Sequence, residues 1–336
     1  MKKVILACLG LMTLLAAWLA YRLKSPALSI QKDTIIVLDA NDSTNDSVIK
    51  KLTAHNLKAP WLFELIAQKM NMQNGLKQGK YEVKSNMTFI DLCRLFRAGK
   101  FQSVDFTINP LIQLSQFKKS YGLKFDGDSI DMSNCLKDSN YLNSIGFNDT
   151  TLFALLIPNT YNMLYHSSPQ EVLAYLKRQY TSFWDSSKLQ KASALGLTPI
   201  QVASLASIVS KESNQVEEMP MIAGMYLNRL KIGMPLQADP TVKFALNQPG
   251  LKRILIGHLT TESPYNTYLH KGLPPGPICV PSPEAIEAVL NPEAHKYLYM
   301  CAKADFSGAH AFSSNYKQHL KLAKAYQKAL DAKHIH

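Results

Sequence analysis

Apolar residues recur at helical spacing between Thr198 and Leu246, and the rest of the chain is organised around that stretch. Thr198 as N-cap and Pro199 at the first helical position open a helix, where the missing proline N–H costs nothing. Val202, Leu205, Ile208 and Val209 form one stripe, and Glu212 falls on it, so a lone acid closes an apolar face. Ala203, Ser207 and Ser210 occupy the opposite side. Met219-Pro220 restarts a helix, Gly233 ends it, and Leu236 to Val242 is polar at alternate positions in a way a plain loop does not require.

Upstream, Val4 to Tyr21 is nearly all apolar between Lys2-Lys3 and Arg22-Lys24, long enough for one membrane span. A cleaved signal peptide is the rival reading, but Ala20 has Trp18 two places before it, which makes a poor cleavage site. A retained anchor over residues 1–24 is therefore expected. Residues 30–108 alternate α and β patterns. Strands are expected at Thr34 to Leu38, Gly79 to Val83 and Ser103 to Ile108, and helices at Val48 to Leu52, Trp61 to Met70 and after Thr88, with Gly99 as the stop. Residues 109–149 read as a polar connector with short helices at Leu114 to Tyr121 and Ser133 to Ser139. Beyond them, Pro169 to Trp184, Pro283 to Leu290 and Tyr316 to Lys328 read as helices, and Tyr297 to Met300 and Gly308 to Phe312 as paired strands. The fold class expected is α+β.

Composition narrows the class without choosing a function. The 336 residues are 46% hydrophobic, ordinary for a folded protein of about two domains. Lys and Arg number 37 against 25 acids, a net charge of +12 that suits a polyanionic neighbour such as nucleic acid, an anionic membrane face or a bacterial wall. No basic and aromatic motif of a known nucleic-acid module accompanies that charge, and charge alone does not choose among these neighbours. Five cysteines, odd in number and far apart, suggest neither a zinc site nor a disulfide framework. No metal or cofactor is expected.

Glu212 is the candidate for chemistry. Burial against apolar side chains and the negative end of the helix dipole disfavour a carboxylate, and a carboxyl that keeps its proton at neutral pH is a general acid. The plain alternative is a terminal glutamate that turns to solvent beside Lys211.

The I-V-S-K-E-S run at 208–213, A-G-M-Y-L-N-R-L at 223–230 and G-M-P-L-Q-A-D-P-T-V at 233–242 resemble the catalytic core of the endolytic murein transglycosylases, the YceG-like family. Ser263 to Tyr268 and Gly272 to Ile278 match the same family closely. The resemblance implies a membrane anchor over residues 1–24, an N-terminal α/β region over 30–108 with a LysM-like subdomain at about 79–108, and a larger mixed α+β catalytic domain over 150–336. It also implies cleavage of peptidoglycan between N-acetylmuramic acid and N-acetylglucosamine with a 1,6-anhydro end. Glu212 would be the catalytic acid and base, with Gln237, Asp239, Tyr265, Asn266, Tyr161, Asn228 and His310 as substrate-binding candidates. Glycan strands are the implied substrate and peptidoglycan synthases the implied protein partners. The place implied is the inner membrane, single-pass, with the catalytic domain on the periplasmic side. The chain departs from the family's pattern at Asn159 and Phe153, where acids are common, so neither position has an acid role here. Two other readings stay open: a hydrolase that pairs Glu212 with Asp239, and a wall-binding protein without catalysis.

Overall fold

In a computed structural model of the chain, the described residues are 2–38, 42–76, 79–98, 103–111, 113–248, 251 and 254–333, without the side chains of 2–9 and 15. They fall into two compact units, one of residues 1–105, 124–126 and 162–168, the other of 106–123, 127–161 and 169–336. The architecture is mixed α and β, with many helices and three two-stranded sheets among the described residues.

The first unit opens with α1 (Lys2–Lys24), one continuous helix over the apolar N-terminal run. The expected anchor thus includes side chains outside the described residues, and among those described no single helix is long and apolar enough to cross a membrane. Next come β1 (Thr34–Leu38), α2 (Asn45–Ala54), α3 (Pro60–Lys69), β2 (Gly79–Val83) and α4 (Phe89–Ala98), and β3 (Ser103–Ile108) has its first three residues in this unit and its last three in the other. Thr44 caps α2 through a reciprocal pair with Ser47, and Pro60 starts α3 where a proline fits best. Thr88 accepts from the Asp91 N–H at the start of α4, while Gly99, its expected stop, lies outside the described residues. Ile36, Leu38, Val48, Leu52, Phe63, Tyr81, Val83, Phe89 and Phe96 make this unit's core. Tyr81 meets Phe96 at 4.8 Å between ring centres, within the range where aromatic pairs attract.

Among the described residues the strand, helix and strand from Gly79 do not form a sheet by themselves. β2 pairs antiparallel with β1, Thr34 opposite Val83 and Leu38 opposite Gly79, so the closed motif is β1, α2, α3, β2. β3 pairs instead with β4 (Asn159–Leu164). Local alternation shows which residues form a strand, but the partner is set by long-range burial.

In the second unit the expected helix at Ser133 to Ser139 is replaced by two. After α5 (Leu114–Lys124), α6 (Ser129–Cys135) and α7 (Ser139–Ser144) each have an aspartate cap. Asp128 accepts from the Ile130 and Asp131 N–H groups at 2.6 and 2.8 Å. Asp138 accepts from those of Asn140 and Tyr141 at 3.0 and 3.1 Å. An aspartate holds the next helix start more strongly than it continues the previous helix.

The short α8 (Leu152–Leu155) precedes β4, and α9 (Pro169–Phe183) and α10 (Ser186–Ala194) lead to α11 (Pro199–Glu212). Around α11 lie α12 (Met219–Lys231), α13 (Asp239–Ala245) and α14 (Pro283–Leu290), all packed against it. Every residue of α11 from Val202 to Ser210 is buried, the serine side included. Its serines bond back to the helix and also receive from outside: Ile278 N–H donates to Ser207 Oγ at 3.0 Å and Ser282 N–H to Ser210 Oγ at 3.1 Å. The helix is therefore apolar-packed on one side and docked to the 278–282 segment on the other.

The closing elements are β5 (Tyr299–Ala302), β6 (His310–Ser313) and α15 (Tyr316–Ala332). The two strands are an antiparallel pair, Tyr299 opposite Ser313 and Ala302 opposite His310, each displaced toward the C-terminus from its expected span.

Candidate active site

The sequence brings Glu212 to the last position of α11, where it stays partly exposed at the lip of the unit although protein atoms crowd its carboxyl. The Tyr226 hydroxyl, on α12, donates to Glu212 Oε1 at 2.6 Å. Burial is the main reason the Glu212 carboxyl is pushed above its ordinary value of 4.5, and the negative charge of Asp239 adds to the shift. The Tyr226 hydrogen bond and the positive charges of His310 and Lys243 oppose it. Tyr226 is itself held well above its usual range, first by burial and then by Glu212, so it remains a donor at neutral pH. The result is a carboxyl whose neutral form is favoured by burial and whose orientation is fixed by Tyr226.

Asp239 sits at the first turn of α13, exposed, and accepts from the Tyr268 hydroxyl at 2.6 Å. It lies near enough to Glu212 to act on its charge. The turn before it is strained: Gln237 has φ 46°, a left-handed conformation uncommon outside glycine. Thr267 secures that turn, its carbonyl accepting from Gln237 N–H at 3.1 Å and its hydroxyl from Ala238 N–H at 3.0 Å. The Gln237 side chain is left exposed beside Asp239. Leu236 to Val242 is thus not an alternating segment but a strained turn running into a helix. Asp239-Pro240 is its start signal, since an acid and a proline both suit a first turn.

Tyr265 is half-buried, its ring 4.7 Å from that of Phe244, and burial pushes its hydroxyl up to about 12. Other expected site residues take part in the scaffold. Asn266 is fully buried: its amide donates to the Leu259 and Thr261 carbonyls, both at 2.9 Å, and its oxygen accepts from Tyr268 N–H at 3.0 Å. Direct contact with an acetamido group is therefore replaced by a structural task, setting the loop that carries Tyr265 and Tyr268. Tyr161 is buried with its hydroxyl on the Ile157 carbonyl at 2.6 Å, and Asn228 bonds the His295 and Tyr297 carbonyls at 2.8 and 3.1 Å. Both are committed to the fold. His310 is tied to Glu218 twice, by its N–H to Oε1 at 2.6 Å and by Nδ1 to Oε2 at 2.7 Å, on the side of the site from which its charge acts on Glu212.

Sequence reading missed three contributors: Tyr226, Arg229 and Glu218. Arg229 is a buried cation whose Nε donates to the Leu298 carbonyl at 2.6 Å and whose Nη1 reaches the Leu236 carbonyl at 2.7 Å, joining α12 to the Gln237 turn. A signal for Tyr226 existed. A tyrosine on an apolar helix face carries a hydroxyl that must find a partner once buried. Among the described residues no group of three or more His, Cys, Asp or Glu could hold a metal ion.

Replacing Tyr226 with Phe removes a hydrogen bond that favours the ionised Glu212, so the carboxyl should rise further. The alkaline limb of the kcat/KM profile should move to higher pH while the rate at the optimum falls, because the carboxyl is no longer oriented. A pH-rate profile checks it, and an unmoved alkaline limb would detach Tyr226 from the titrating group.

The fold can be compared with solved structures. The crystal structure of a yceG-like protein from Listeria monocytogenes aligns with 87% of this chain and all of its own chain, at a TM-score of 0.57 and 23% identity, a likeness of fold. The YceG-like family model matches residues 39–325, and the chain belongs to that family. Among its relatives, an endolytic murein transglycosylase of Bacillus subtilis is 38% identical over 126 residues, covering 38% of this chain and 34% of the relative. One from Streptococcus pneumoniae is 30% identical over 172 residues, covering 49% of this chain and 30% of the relative. The chain thus spans about a third of the length of the relatives it matches.

Proposed function

We propose that the chain is a membrane-anchored endolytic lytic transglycosylase of peptidoglycan. The observation that carries this is the Glu212 carboxyl, raised by burial and held by the Tyr226 hydroxyl at 2.6 Å, on a residue that is only partly buried. Glycosidases that use water need two carboxylates, one to protonate the leaving oxygen and one to attack or to activate water. A lytic transglycosylase needs one. Glu212 gives its proton to the glycosidic oxygen as the bond to the muramic C1 breaks, and the C6 hydroxyl of the same sugar closes on C1. The Glu212 carboxylate takes the hydroxyl proton, which restores the acid and leaves a 1,6-anhydro end. Gln237 and Tyr265 serve as sugar contacts, and His310, paired with Glu218, acts on the Glu212 carboxyl. The names of the relatives support the same substrate.

A hydrolase is the second reading, favoured by Asp239 beside Glu212. Asp239→Asn separates the two. A positioning residue should lose about tenfold or less, whereas an essential second carboxylate should lose as much as general acid–base help supplies, about a hundred- to ten-thousand-fold. Release of soluble fragments from purified glycan strands is the readout, and intact strands would point to a wall-binding protein.

The anchor is the run from Val4 to Tyr21 within α1, with Trp18, over which the Arg22 guanidinium lies at 5.5 Å, as its interfacial end. The substrate then puts the enzyme in the inner membrane with its bulk on the periplasmic side, next to the peptidoglycan synthases. The LysM-like part at about 79–108 adds a glycan contact. Membrane fractionation should find the whole chain in the pellet after a high-salt wash. A soluble product lacking the first 20 residues would overturn the anchor.

A further inference from the structure

A pocket of about 180 Å³ has Lys211, Lys243, Asn247, Gln113, Phe244 and Ile278 in its wall. Lys211 directly precedes the acid on α11, and Lys243 and Phe244 on α13 share a face with Asn247 just beyond it, at helical spacing. Lys243 is half-buried and close enough for its charge to act on Glu212. Lys211 is exposed, and among the described residues neither lysine is ion-paired. Two ammonium groups at one small cavity repel each other unless an anion lies between them. The same wall is amphipathic: the Phe244 ring, backed by Tyr265, and Ile278 supply an apolar side, and the amides of Gln113 and Asn247 supply hydrogen bonds.

The N-acetylated glycan backbone carries no charge that could meet these lysines. The charge of an uncleaved strand is on the short acidic peptide attached to the lactyl group of each muramic residue. That is the sugar whose C1 must face Glu212. We propose that this pocket is a stem-peptide subsite, binding a carboxylate of the peptide between Lys211 and Lys243 and its apolar part against Phe244 and Ile278. The inference rests on the transglycosylase reading for its substrate. It adds that the enzyme recognises the peptide as well as the glycan, so strands with and without charged stems are not equivalent to it.

The test uses the full chain, the Lys211→Gln and Lys243→Gln variants and the double variant. Two preparations of the same strands serve as substrates, one with native stem carboxylates and one with those carboxylates converted to carboxamides. Removing Lys243 changes the field at Glu212 and moves both rates together, so the ratio of kcat/KM between substrates is the readout. The wild type should favour the acidic strands about tenfold, and the double variant should lose that preference, each single variant lying between. A wild-type ratio near one, or a preference that survives in the double variant, would overturn the subsite. Binding of N-acetylmuramoyl-L-alanyl-D-isoglutamate followed by NMR supplies an arm independent of cleavage. Shifts at the pocket that are lost in the double variant uphold the subsite even if no strand is cut, and then only the transglycosylase reading fails. An absence of shifts with the wild type counts against the subsite.

Discussion

Glu212→Gln should lower turnover by at least about a hundredfold while leaving glycan binding and folding nearly intact. Glutamine keeps the side chain's length, and its oxygen can still accept from Tyr226, but it cannot deliver or recover a proton. Burial raises the carboxyl and so favours its neutral form, and the neutral replacement should stay within about 1 kcal/mol of wild type. The stability difference should also depend on pH with a definite sign. A carboxyl raised in the folded state binds more protons folded than unfolded, so wild-type stability falls as pH climbs from the ordinary value of 4.5 toward the raised one. Glutamine does not titrate. The variant should gain on wild type across that interval and match it most closely below it. Urea melts at a series of pH values, beside turnover at the optimum, check both halves. A variant that melts like wild type and still releases anhydro products at a comparable rate would remove Glu212 from the mechanism.

Gly276→Ala should be the most damaging change among the described glycines of the proline-rich loop. An added Cβ would stand 1.9 Å from the Thr150 carbonyl oxygen and 2.7 Å from its carbon, both backbone atoms that cannot rotate away. Overpacking of this kind costs about 1–3 kcal/mol and occasionally more. Because Tyr265 and the 278–282 segment belong to the same region, displacement of the loop should lower activity as well as stability. Gly257→Ala, which meets nothing within 4 Å, is the matched control and should be close to neutral. Equal melting of the two variants would show that the loop has room to move.

Where caps and periodicity are local, the sequence was readable to the residue. Thr34–Leu38, Gly79–Val83, Ser103–Ile108 and Pro283–Leu290 have the bounds expected of them. What escaped were relations between distant residues. Nothing in the Gly79 to Val83 pattern says that its partner lies behind two helices at Thr34 to Leu38. The serines of α11 read as one side of a helix, yet Ser207 and Ser210 are buried because the backbone of Ile278 and Ser282 bonds to them. Asp239 could be picked out as a carboxylate, but the helix it begins was hidden by the polar alternation around it. Glu212 was legible because an acid on an apolar stripe violates a local rule. Its partner Tyr226 was not, since the turn between α11 and α12 decides which face of the second helix meets the first.

The mechanism turns on which oxygen attacks the muramic C1. Purified glycan strands digested by the enzyme in ¹⁸O-labelled water and analysed by mass spectrometry decide it. A lytic transglycosylase leaves 1,6-anhydromuramic ends with no label incorporated, because the attacking oxygen comes from the sugar itself. Reducing ends carrying one ¹⁸O would contradict that account and assign the chemistry to hydrolysis.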